Sequence, residues 1–73
     1  MPYVNIKITR EGGPDGLGPS AEEKACLIAG VTDLLQDVLG KKPATTFVVI
    51  DEVDLENWGI GGLPVEEYRK AIS

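Results

Sequence analysis

The 73 residues predict an α/β (α+β) chain built on one β-α-β unit. Two parallel strands are joined by one main helix, a C-terminal hairpin or arm follows, and oligomerisation completes the structure. Three observations predict it: polar/apolar alternation over residues 3–9, a helical repeat of apolar residues between Ser20 and Gly40, and a continuous apolar run over residues 47–50.

In the first segment Val4, Ile6 and Ile8 take one face and Tyr3, Asn5, Lys7 and Thr9 the other, the pattern of a half-buried strand. Residues 11–19 hold Gly12, Gly13, Gly16 and Gly18 with Pro14 and Pro19, a composition that no helix or strand interior accepts, so a loop follows. Ser20 and Glu23 then form a capping box that starts a helix. Leu27, Ile28, Val31, Leu34, Leu35 and Val38 recur at helical spacing, and Gly40 with Pro43 beyond it ends the repeat.

Residues 45–50 read as the second strand. Phe47, Val48, Val49 and Ile50 run apolar without alternation, as in a strand covered on both faces. Residues 51–57 are acidic and read as a connector, residues 58–62 as a tight or hairpin turn, and residues 64–72 as a short helix or an extended arm. No internal repeat or interdomain linker is visible, so residues 1–73 are expected to form a single domain.

Size bears on assembly. Surface scaling puts the unfolded chain at roughly 11,000 Å² and a compact monomer at roughly 4,400 Å², a marginal degree of burial for a stable fold. Small domains offset this with disulfides, a metal or oligomerisation. One cysteine and no histidine leave oligomerisation, and two strands with one helix leave a sheet face and both edges for another copy to cover.

Composition also excludes functions. Seven Lys and Arg against twelve Asp and Glu give a net charge of −5, with the basic residues scattered, which disfavours nucleic acid and an anionic membrane as partners. The absence of histidine removes the commonest general base and the usual zinc sites. Cys26 alone permits no internal disulfide, no signal peptide or membrane span is visible, and a cytoplasmic setting is expected.

Few residues invite chemistry. Gly59, Gly61 and Gly62 lack the Gly-Lys-Ser/Thr of a phosphate loop, and Asp51 and Glu52, adjacent in an extended chain, point to opposite faces. Cys26 has no histidine to activate it and reads as a helix-packing residue. Met1-Pro2 is more informative, because methionine is commonly removed ahead of proline and leaves a free secondary amine at the start of a strand. An α-amino group titrates near pH 8, and an apolar pocket lowers that value toward neutrality, so Pro2 is the best-tuned base in a chain without histidine. Any chain can begin Met-Pro, so the dipeptide alone does not separate a base from an ordinary start.

Pro2 at the head of a strand, a β-α-β unit of this length and the run Trp58-Gly59-Ile60-Gly61-Gly62 together resemble the 4-oxalocrotonate tautomerase family over nearly the whole chain. The resemblance implies removal of Met1 and an amino-terminal Pro2 that shuttles a proton on a 2-hydroxydienoate or similar enol, without metal or cofactor. It implies that Trp58 belongs to the apolar wall that lowers the proline pKa. It implies a homohexamer, a trimer of dimers, with active sites built across subunits and a small carboxylate as substrate. The family pattern has an arginine after the first strand and another within the second; Arg10 lies near the first position, shifted from register, and Val48 stands at the second. A dehalogenase or hydratase of an unsaturated acid using the same proline, and a non-catalytic oligomeric binding protein on the same fold, are the alternatives.

Overall fold

The computed structural model describes residues 1–73. Strand β1 (Tyr3–Thr9) and strand β2 (Phe47–Val53) pair in parallel, with helix α1 (Ala21–Leu39) as the crossover. A short hairpin, β3 (Gly59–Ile60) and β4 (Leu63–Pro64), and helix α2 (Val65–Ile72) complete the chain. The β-α-β unit expected from the sequence is present. The undecided C-terminal segment is a hairpin followed by a helix.

The register runs from Tyr3 opposite Phe47 to Thr9 opposite Val53 and divides the sheet into two faces. Val4, Ile6, Ile8, Val48, Ile50 and Glu52 share one face, on which α1 lies; Tyr3, Asn5, Lys7, Thr9, Phe47, Val49, Asp51 and Val53 share the other, which no element covers. β2 therefore runs three residues beyond its expected end, and begins later because Pro43–Thr45 forms a 3₁₀ turn. Asp51 and Glu52 are strand residues, not part of a connector. Each is matched by a cation from a distant segment: Asp51 accepts from Lys7 Nζ at 2.8 Å and Asn5 Nδ2 at 2.9 Å on the open face, and Glu52 pairs with Lys24 of α1 on the other. The Lys7 bond, then that of Asn5, holds the Asp51 carboxyl below its ordinary value.

Helix α1 starts as its sequence dictates. Ser20 Oγ accepts from the Glu23 N–H at 3.1 Å and the Glu23 carboxylate accepts from the Ser20 N–H at 2.9 Å; at the other end Gly40 takes the left-handed conformation and donates to the Gln36 carbonyl at 2.9 Å. Ser20→Ala should lower the unfolding free energy by about 1 kcal/mol, read as a lower urea midpoint at fixed chain concentration.

The loop before α1 closes on itself. The Gly18 N–H donates to the Gly12 carbonyl at 3.0 Å and the Gly16 N–H to Gly13 at 3.4 Å. A Cβ on Gly13 would stand 1.9 Å from the Gly18 oxygen, and its φ of +73° disfavours any side chain, so only glycine fits there. In the hairpin, Gly61 and Gly62 both have positive φ, the primed turn that matches strand twist. Gly61 lies so close to the Tyr68 ring that a Cβ would stand 3.0 Å from it.

Very little of the chain is buried. Only Gly18 and Val65 are closed to solvent, and the accessible surface of 5300 Å² exceeds the roughly 4,400 Å² of a compact chain this size. The radius of gyration is 15.5 Å where a compact fold would have about 11 Å. Along α1 only Val31 and Leu35 of the expected apolar stripe are half-buried; Leu27, Ile28, Leu34 and Val38 face solvent, as does Cys26, which was expected to pack. Phe47 and Val49 are likewise exposed on the open sheet face. No helix of the chain is long and apolar enough to cross a membrane.

Candidate functional site

Pro2 precedes β1 and is half-buried, while Met1 is 86% exposed and outside any element. The ladder holds Pro2 in place: its carbonyl accepts from the Phe47 N–H at 3.0 Å, one step before the Tyr3–Phe47 pair. Its nearest neighbour on the second strand is therefore Phe47. Val48 pairs with Val4 on the helix-covered face, while Phe47, whose N–H bonds the Pro2 carbonyl, is on the open face.

Arg10 follows β1 at the opposite end. Its N–H donates to the Val53 carbonyl at 2.9 Å and its Nε lies 3.3 Å from Asp54 Oδ1. It is eight positions from Pro2 along an extended chain, roughly 26 Å at the rise of a strand. Both partners of the Arg10–Asp54 pair are about half exposed, so it stabilises the fold by less than about 1 kcal/mol and a substrate carboxylate could replace Asp54 at little cost.

Trp58 leaves a 3₁₀ turn (Leu55–Asn57) that itself follows the end of β2. Its N–H donates to Leu55 at 3.1 Å and its carbonyl accepts from Val65 at 2.8 Å, which fixes it between the turn and the start of α2. Helix α2 is tied to the segment after β1 by Arg69, whose two terminal nitrogens each donate to Glu11 at 2.9 Å. Arg10 and Trp58 are thus gathered at one end of the sheet, and Pro2 stands at the other. One chain does not bring the three together.

The tether between Glu11 and Arg69 spans 58 positions and has no local signal in the sequence. The Arg69 bonds, then a 2.9 Å bond from Thr9 Oγ1, push the Glu11 carboxyl down to about 2. Glu11 binds its proton less readily folded than unfolded, so its contribution is complete above the ordinary carboxylate value near 4.5 and is lost as pH falls toward about 2. A carboxyl NMR titration should find Glu11 at about 2 in the native chain and back in the ordinary range in Arg69→Ala.

A cleft of about 500 Å³ opens at the start of α1, lined by Pro19, Ser20, Glu22, Glu23, Cys26 and Leu27. None of Pro2, Arg10 or Trp58 reaches it, and none of its lining groups forms a base–nucleophile pair.

Comparison with known proteins bears on the whole chain. The family model described as "Tautomerase enzyme" matches residues 2–68. A protein named "Probable tautomerase K2" from Dickeya dadantii (strain 3937) is 58% identical over 73 residues, all of both chains. The 2-hydroxymuconate tautomerase of Comamonas testosteroni is 40% identical over 70 residues, 96% of this chain and 100% of that one. The crystal structure of DmpI from Helicobacter pylori superposes with a TM-score of 0.81 at 46% identity, covering 94% of this chain and 97% of that one. Matched by the family model over residues 2–68, and in fold and length by these relatives, the chain belongs to the tautomerase family.

Proposed function

We propose that the protein is a cofactor-independent keto–enol tautomerase acting on a small unsaturated 2-hydroxy or 2-oxo acid. Pro2, amino-terminal once Met1 is removed, takes the proton from the enol hydroxyl and returns it to carbon. The observation that carries this reading is the setting of Pro2. The family match begins at residue 2, Met1 is open to removal, and Pro2 is held at the head of β1 by the Phe47 N–H.

Arg10 orients a carboxylate of the substrate, and Trp58 keeps the site dry enough for a neutral amine. Both belong to a second copy, since within one chain they lie at the far end of the sheet from Pro2. Self-association is also what the open sheet face and the bare side of α1 require, because exposed apolar surface on this scale is stabilised by a partner. A homohexamer built as a trimer of dimers meets both needs. With one cysteine and hence no internal disulfide, the reading takes the enzyme as a cytoplasmic one.

The test is ultraviolet-monitored ketonisation of 2-hydroxymuconate and of phenylenolpyruvate, using protein whose mass shows that Met1 is gone. Turnover well above buffer is expected with at least one of them. Buffer rates with both would overturn the reading.

A further inference from the structure

We infer that Phe47 selects the substrate, and that it selects a monocarboxylic enol acid with a flat apolar tail, such as an aryl group, over a dicarboxylate; the inference rests on the Pro2 tautomerase reading above. Phe47 is bonded through its N–H to the carbonyl of the reacting residue, at 3.0 Å. Tyr3, the residue after Pro2, stands in register with Phe47 on the same open face. Directly paired strand residues have side chains about 5 Å apart, so the two rings form one aromatic shelf beside Pro2. Tyr3 is 65% and Phe47 52% exposed, and no other element of the chain covers either.

An assembly that covers the middle of this face must still leave the approach to Pro2 open for a substrate. Phe47 and Tyr3 border that approach.

The charges of the face point the same way. Its one cation is Lys7, already bonded to Asp51 at 2.8 Å. Arg10, Lys24, Arg69 and Lys70 are each paired with a carboxylate elsewhere; Lys41 and Lys42, just ahead of the turn that enters β2, are the cations of the Pro2 end, and neither is on the open face. A substrate carboxylate held by Arg10 has a partner. A second carboxylate laid on the two rings at the Pro2 end would lose water there, and the open face itself offers it no unpaired cation. An aryl or alkenyl tail loses nothing there and gains an offset-stacked or edge-to-face contact.

The experiment compares kcat/KM for phenylenolpyruvate and 2-hydroxymuconate in the native chain, Phe47→Ala, Phe47→Arg and Pro2→Ala. The native protein should favour phenylenolpyruvate at least tenfold. Phe47→Ala should lose at least tenfold on that substrate, mostly through KM, and change less than threefold on the dicarboxylate. Phe47→Arg should reverse the preference. Cinnamate and fumarate as inhibitors of the native enzyme supply a reading that needs no variant, and cinnamate should bind at least tenfold more tightly.

A native preference for 2-hydroxymuconate, with fumarate the better inhibitor, overturns the role of Phe47 and leaves the proline tautomerase standing. Full activity in Pro2→Ala, or no turnover of either substrate by native protein, overturns both.

Discussion

Replacing Pro2 with alanine is expected to lower kcat/KM by about 10²- to 10⁴-fold, the usual contribution of a positioned general acid–base group. That corresponds to roughly 3–5 kcal/mol of transition-state stabilisation. Alanine still leaves an α-amino group, but a primary and more mobile one, without the ring that fixes the nitrogen at the head of β1. Because the Phe47 N–H bonds the Pro2 carbonyl and not its side chain, the ladder is retained and the variant should fold. Protein that keeps Met1 should be equally inactive, since the proline nitrogen is then an amide with no basic lone pair. Mass spectrometry and rate measured on the same preparation check both statements. An active Met1-bearing protein would remove the amine from the mechanism.

Val49→Asp is the second substitution with a large expected effect. Val49 lies in the middle of the open face, between Phe47 and Asp51 and opposite Asn5. A new carboxylate there would be desolvated by any copy that covers the face, beside the existing charge of Asp51, at several kcal/mol per site. Sedimentation velocity should show the variant as single chains of 7.8 kDa, and the cooperative thermal transition should disappear, since a lone chain buries only two residues. Activity should vanish with it if Arg10 and Trp58 act on the Pro2 of another copy. A complementary result is expected from two single variants, each inactive alone. Pro2→Ala and Arg10→Ala chains, unfolded together and refolded as a mixture, should regain part of the native rate, because some sites then combine an intact Pro2 with an intact Arg10. No recovery would assign all the functional groups to one chain.

Elements built on local rules could be read from the residues. β1 follows from alternation, and α1 from its Ser20–Glu23 box and its Gly40 stop, because each depends on neighbours within four positions. β2 could not be bounded in the same way. Its last three residues include two carboxylates, and what keeps them in a strand is Lys7 and Asn5 on one side and Lys24 on the other, all more than 25 positions away. α2 was equally hidden: Pro64 suits either a helix start or an extended arm, and the choice is made by Tyr68 against the Gly61 turn and by Arg69 on Glu11. The site followed the same division. Pro2, Arg10 and Trp58 are marked by position and residue type, but the distance that separates them, and the place of Phe47 beside Pro2, depend on the register of a parallel pair 44 residues apart in sequence.

The loop between β1 and α1 has a use in engineering. Its two stems meet at the Gly12–Gly18 hydrogen bond, so a peptide inserted near Gly16, where nothing lies within 4 Å, would leave and return at the same point of the surface. Each doubling of such an insert costs only about 0.6 kcal/mol of closure entropy. The capping box downstream and the ladder upstream would be untouched, and Gly13 would still have to be glycine. Every copy in an assembly would carry the graft, which makes this small chain a scaffold for multivalent display.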